Sequence, residues 1–296
     1  MYTMLSTSLN LTLGLSGYLN LGHVAFFGIG AYVSGLLTLR AGWAWSAALL
    51  AGILTAGAAG YAIGRLTLQL RGAYFVIVTL AFSEVLKLVS TNWVELTRGP
   101  MGLPGIPAPQ IGTFALESSR AQYYLALLLA AAAVYVAARL IPSRLGRALV
   151  GLRENEELAQ SLGVNVYNHL LFAFVTGSLM AGAAGAFYAH YVRFLSPEVF
   201  SFGYTVTTVI MVLAGGRGTV VGPVLGAFVF VFIPELLRAT TTLRLIIYAI
   251  ILVIITVFLP EGIWPYLRDR SQTLLLKLMK STRKGRAADF ASGRRS

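Results

Sequence analysis

The stretch MYTMLSTSLNLTLGLSGYLNLGHVAFFGIGAYVSGLLTLR, Met1–Arg40, carries no acidic or basic side chain before its last residue. A spanning helix needs about 20 predominantly apolar residues, because a rise of about 1.5 Å per residue must cross a hydrocarbon core about 30 Å thick. The opening run therefore holds material for more than one crossing. Within it, GLSGYLNLGHVAFFGIGAY (Gly14–Tyr32) spaces Gly14, Gly17, Gly22, Gly28 and Gly30 through apolar sequence. Such spacing permits a helix break and close backbone approach between helices.

Working outward, no charged residue falls between Ala41 and Gly64, and further uncharged runs lie at Ala121–Ala138, Leu170–Val192, Val199–Gly216, Gly218–Pro234 and Leu245–Pro260. Several are shorter than a full crossing, which predicts tilted, broken or re-entrant segments. Apolar residues make up 57% and charged residues 11% of the 296 positions, a balance that excludes an ordinary soluble domain. The expected fold is an all-α polytopic membrane protein, a bundle of about 8–10 transmembrane helices. Residues 1–265 are expected to form the transmembrane domain with a cytoplasmic loop at about 142–169, and 266–296 a basic cytoplasmic tail. No Lys or Arg precedes Arg40, so the first hydrophobic stretch is read as retained rather than cleaved. Without cysteine there is no disulfide framework and no thiolate site.

Short basic loops stay in the cytoplasm. With about nine crossings and the N-terminus outside, sixteen basic residues fall inside, including Arg65, Arg71, Arg153, Arg217 and the tail from Arg268. Six fall outside, namely Arg40, Arg98, Arg120, Arg193, Arg238 and Arg244, and Lys87 lies within a span. The net charge of +12 flanks spans and fills a tail, so membrane lipid rather than nucleic acid is its expected counter-charge.

Four segments say more than hydrophobicity. In LRGAYFVIVTLAFSEVLKLVSTNW (Leu70–Trp93), Glu84 and Lys87 sit three residues apart in an apolar helix. That spacing predicts a mutually compensating pair, with a place on the substrate path as the alternative. NWVELTRGPMGLPGIPAP (Asn92–Pro109) cannot continue a helix and reads as an external loop. GGRGTVVGPVLGA (Gly215–Ala227) is a second break, and without a preceding strand or a following GK[ST] it is no phosphate loop. Finally GRALVGLRENEELAQSLGVN (Gly146–Asn165) is a polar island. Asn155 is its expected N-cap, Glu156 and Glu157 suit the positive helix end, and Gly163 suits the stop. A helix of about two turns follows, with the small residues Ala159 and Gly163 four apart; a partner-docking surface is preferred over an inert linker. Candidate coupling residues are Arg153, Glu154, Asn155, Glu156, Ala159, Leu162 and Gly163. Candidates for the substrate path are Asn20, Gly22, His23, Glu84, Lys87, Gly215 and Gly216; for His23 a packed, hydrogen-bonded role is favoured over proton transfer.

In order, LGHVAFFGIGAY, LRGAYFVIVTLAFSEVLKL with NWVELTRGPMGLPGIP, GRALVGLRENEELAQSLGV, AGGRGTVVGPVLGA and FLPEGIW resemble the permease subunits of bacterial branched-chain amino acid ABC transporters, of the LivM type. The match covers nearly the whole chain. It departs at Asn20, where serine is common, and at Leu158, where alanine is usual. Family members also carry more hydrophobic sequence ahead of the first motif, so a late start or one helix fewer is expected. The resemblance implies a non-catalytic subunit of the inner (plasma) membrane that conducts leucine, isoleucine, valine or related small solutes. Its implied partners are a LivH-like permease, two cytoplasmic ABC ATPases and a periplasmic substrate-binding protein. No cofactor or metal is implied for this chain, since the partners use the ATP and magnesium. Urea or short-amide permeases of the same family are the near alternative. An ion-coupled secondary transporter is the more distant one, and it has no use for the capped polar helix. A membrane enzyme lacks support, because metal-ligand spacing such as H-E-x-x-H is missing and the three histidines are scattered.

Overall fold

A computed structural model describes residues 1–111, 114–115, 118–236 and 262–268. Helix α1 (Tyr2–Leu9) runs into a π-helical segment, Asn10–Gly14, and the chain then breaks over residues 17–22 before α2 (His23–Ala41). The predicted break thus falls inside the glycine-spaced motif. Helices α3 (Trp45–Thr67) and α4 (Ala73–Asn92) follow, then the short α5 (Val94–Thr97) and a 3-10 turn at Gly99–Met101. After the strands β1 (Leu103–Pro104), β2 (Gln110–Ile111) and β3 (Phe114–Ala115) come α6 (Ser119–Leu140), α7 (Arg144–Glu154), α8 (Glu156–Ser161) and α9 (Val166–Val192). The strand β4 (Phe194–Leu195), a 3-10 turn at Pro197–Phe200, α10 (Phe202–Gly215) and α11 (Gly222–Leu236) complete the described order, with one further helical turn at 263–268.

Among the described residues five helices, α2, α3, α4, α6 and α9, are long and apolar enough to cross a membrane, and α10 and α11 are shorter apolar helices. The expected apolar run at Leu245–Pro260 and nearly all of the basic tail lie outside the described residues. Helix α9 is the centre. Its buried face carries Gly177, Ser178, Gly182, Gly185 and Phe187, and α2 and α3 pack against it. Two glycines allow this contact. A Cβ on Gly185 would stand 1.8 Å from the Phe27 carbonyl oxygen, and one on Gly30 2.2 Å from that of Gly182. The backbones touch because neither position carries a side chain, the arrangement that favours helix association where lipid removes the hydrophobic drive. Between the helices, Phe26 meets Phe174 edge-on at 5.4 Å and Tyr18 meets Phe75 at 5.3 Å.

Along residues 1–16 most buried hydroxyls find partners in backbone carbonyls once water is excluded, although Thr7 Oγ1 has none. Ser8 Oγ donates to Leu5 O at 2.7 Å, Thr12 Oγ1 to Leu9 O at 3.0 Å and Ser16 Oγ to Thr12 O at 2.6 Å.

The two ends of the bundle differ. At one end β1 pairs antiparallel with β4, joining the Gly/Pro-rich loop to the segment after α9, while Leu103 and Ile106 are buried beneath. The Arg40 guanidinium binds the carbonyls of Glu95 and Leu96 there. At the other end lie α7, α8, the 17–22 break and the loop after α3, where Arg71 pairs with Glu156. The arginines therefore sort as the charge reading expects, Arg40 at one end and Arg71 and Arg153 at the opposite one.

Candidate functional site

Asn155 ends α7 and caps α8 with its side chain, Oδ1 accepting from Leu158 N at 2.9 Å. Gly163 takes φ +84°, the left-handed stop that favours glycine. The α8 turn so bounded is held to the bundle by charge. Glu156 pairs with Arg71 at 2.8 Å and accepts from Tyr18 Oη at 3.4 Å. Tyr18 lies in the break between spans; burial raises the pKa of its hydroxyl, and the negative charge of Glu156 raises it further. It stays a neutral donor, and its ring carries the contact inward to Phe75.

Arg153 makes the other connection. Its Nη1 donates to the Gly14 carbonyl at 2.7 Å, across 139 residues of sequence, while Nε and Nη2 donate to Glu154 Oε1. Gly14 ends the π-helical segment, where helix winding leaves carbonyls short of partners. Asn10, at the start of that segment, bridges onward: its Nδ2 donates to Thr219 O at 2.8 Å and its Oδ1 accepts from Gly218 N at 2.8 Å. A continuous polar path thus runs from α7 through both broken segments to the start of α11. A cavity of about 470 Å³ opens beside it, lined in part by Ser16, Tyr18, Arg71, Phe75, Arg153 and Glu156.

The remaining coupling candidates divide. Ala159 turns into the core and is 8% exposed, so it offers nothing to a partner, contrary to the docking role expected of it. Side chains one turn apart on a helix share a face, and α8 gives that inward face to Ala159. The outward apolar residues are Leu158 and Leu162, 57% and 77% exposed. Leu158 is absent from the sequence-derived candidates, although its apolar side chain among Glu154, Glu156 and Glu157 was a legible signal.

The path candidates divide as well. His23 is fully buried, its Nε2 2.7 Å from Ser8 Oγ; because the Ser8 hydrogen goes to Leu5 O, the imidazole donates. Asn20 Oδ1 accepts from Gly22 N at 3.0 Å, and its buried Nδ2 has no hydrogen-bond partner. Gly22 admits the Thr79 carbonyl, 2.2 Å from where a Cβ would be, bringing the break against α4. Gly215 ends α10 and Gly216 caps it; both are buried, and a Cβ on Gly215 would stand 1.9 Å from the Gly222 carbonyl oxygen. Glu84 and Lys87 do not pair. Lys87 Nζ binds Glu198 Oε1 at 3.2 Å, and Glu84 is exposed. The Pro197–Phe200 turn is held on α4 by Ser83 Oγ donating to Phe200 O at 3.3 Å, and it supplies Lys87 with a carboxylate from outside the helix.

At the opposite end a buried histidine was missed as a structural group. His190 Nδ1 donates to Pro107 O at 2.8 Å, and Nε2, left as the acceptor, lies 2.9 Å from Ser34 Oγ. This ties the proline-rich loop to α2 and α9. Among the described residues no three His, Asp or Glu side chains gather as a metal site.

Spanning helices broken at polar joints, with a capped helical segment bound to those joints at one end, define a polytopic α-helical permease. The chain belongs to the family described as branched-chain amino acid transport system / permease component, whose model matches residues 1–256. It is 34% identical, over 97% of its length and 72% of theirs, to the high-affinity branched-chain amino acid transport system permease proteins LivM of Salmonella typhimurium and Escherichia coli K12. It is 24% identical to the LivH permease protein of Escherichia coli K12, over 88% of this chain and 90% of that one. An autoinducer 2 import system permease protein, LsrC of Yersinia pseudotuberculosis, is 29% identical over 68% of this chain and 57% of its own. No solved structure matches.

Proposed function

We propose that this chain is the solute-conducting subunit of an ATP-driven importer for branched-chain amino acids or closely related small solutes. The observation that carries the reading is the hydrogen-bonded path from Arg153 through Gly14 and Asn10 to Gly218, which joins an exposed helical segment to both broken helices. An exposed α8 gains a use if a second protein pushes on it, and the charge-assisted hydrogen bond of Arg153, continued by the neutral ones of Asn10, transmits the displacement. The solute class follows from the likeness to LivM.

The α8 end faces the cytoplasm of the inner membrane in this reading, because the basic residues concentrate there. One of two ATPase subunits docks on Leu158 and Leu162, and the ATPases hydrolyse ATP with magnesium; this chain binds neither ATP nor magnesium. A LivH-like permease completes the membrane pair, and a periplasmic binding protein delivers solute to the opposite, loop-bearing end. Glu154 and Glu157, exposed beside α8, meet basic groups at the rim of the ATPase.

Uptake of labelled leucine by vesicles carrying the reconstituted complex, with and without internal ATP, tests the reading. ATP-dependent accumulation that unlabelled isoleucine or valine competes away is the expected result. Accumulation driven by a proton or sodium gradient without ATP would establish a secondary transporter instead.

A further inference from the structure

Glu84 lies about 16 Å along the axis of α4 from Ala73 and about 12 Å from Asn92, at 1.5 Å per residue. It is therefore near the middle of a span, and it is exposed on the outside of the bundle with no ion pair or hydrogen bond among the described residues. Tyr74, Val78, Ala81, Val85 and Leu88 are exposed on the same side of α4, spaced alternately by four and three residues. That alternation is the seam of a helix that packs against another helix, and Ala81 beside Glu84 lets a second backbone come close.

The outward faces of α3 and α6 lack any such charge. On α3 the exposed side chains include Leu50, Leu54 and Tyr61, and on α6 they include Tyr124, Leu128 and Tyr135. Neither helix carries an acidic or basic residue in its middle, so hydrocarbon suits them. A carboxylate facing hydrocarbon at mid-span is strongly unfavourable, and intramembrane acidic residues face protein or water. A second copy of this chain is a poor match. A twofold axis along the membrane normal would bring its Glu84 to the same depth, setting two carboxylates against each other in low dielectric.

We propose that the α4 face from Tyr74 to Leu88 is the seam against a second, non-identical permease chain, with Glu84 directed into it opposite a basic or hydrogen-bond-donating group. This inference rests on the reading of the chain as one of a permease pair and adds which face makes the pair. Lys87, three residues along α4, is engaged by Glu198, so the proposal draws the group that satisfies Glu84 from the second chain.

The chain has no cysteine, so single cysteines report cleanly. Val85→Cys and Leu88→Cys, with Leu54→Cys and Leu128→Cys as controls, are placed in the full transporter in its own membrane. Each is labelled with a maleimide-benzophenone probe and irradiated. The first two are expected to give an adduct whose second chain is identified by mass spectrometry as a different permease, and the controls to give lipid adducts alone. Lipid adducts alone at 85 and 88, or an adduct with a second copy of this chain, would overturn the proposal. Glu84→Leu supplies an independent measure: it should lower recovery of the second permease with this chain by at least about tenfold, whereas unchanged recovery with higher yield identifies Glu84 as lipid-facing. Uptake is read separately. ATP-independent transport alongside the expected adduct defeats the functional reading and leaves the seam standing.

Discussion

A single arginine and a single glycine show how much this bundle depends on local geometry. The Arg153 guanidinium donates to Gly14 O at 2.7 Å from a largely covered position. Hydrogen bonds from charged groups are worth about 1.5–3 kcal/mol. Arg153→Ala should therefore lower the thermal unfolding temperature of the detergent-solubilised protein and reduce uptake per ATP hydrolysed. Unchanged uptake per ATP would show that the contact transmits nothing. Gly185 makes the complementary case. Its Cβ position is occupied by a backbone carbonyl, and backbone cannot yield as a side-chain tip does. Gly185→Ala is expected to cost about 1–3 kcal/mol or more through overpacking. Gly151→Ala meets open space and should be neutral or stabilising. Equal melting temperatures for the two variants would remove the close-approach account of α9.

At the scale of elements, α8 presents one face inward and one outward. On the proposed function the outward leucines are the docking side, so Leu158→Asp combined with Leu162→Asp should cut ATPase co-purification while the protein still folds. Ala159→Arg should instead lower folded yield, because it drives a charge into the core beside α8. Normal yield for Ala159→Arg with lost ATPase binding would reverse this assignment of faces. The loop at the other end hangs on His190, whose Nδ1 holds Pro107 O. His190→Phe removes that donor and leaves the carbonyl unsatisfied. Limited proteolysis should then cut near residues 103–110 several times faster than in the parent, by the weight of one lost buried hydrogen bond. An unaltered cleavage pattern would mean that the β1–β4 pairing alone secures the loop.

For the whole molecule, sidedness is the testable property. Arg40 with the β1–β4 loop occupies one end, and Arg71, Arg153 and α8 the other. Pro104→Cys should react with an impermeant maleimide added outside intact cells, and Leu162→Cys only after the cytoplasmic face is opened. The reverse pattern would invert the topology and remove the ATPase from α8. The central packing of α2 and α3 on α9 leaves α4 and α6 largely exposed. Of these two peripheral helices only α4 carries a charge in mid-span, which makes the periphery functionally unequal.

Uncharged runs, glycine and proline breaks, the sidedness of arginine and the Asn155–Gly163 cap were legible in the residues, because each follows from the solvent or from local backbone chemistry. The polar joint went unread: Asn10 was not among the candidates drawn from the sequence, and nothing local names its partner Gly218, 208 residues away. Direction was not legible at all. Glu84 and Lys87 had the spacing of a pair, yet the tertiary fold brought Glu198 to Lys87 and left Glu84 outside. Ala159 had the size of a docking residue, yet packing turned it inward. Spacing along one helix determines which side chains share a face, whereas what that face meets is set by segments distant in sequence, and only the assembled bundle decides it.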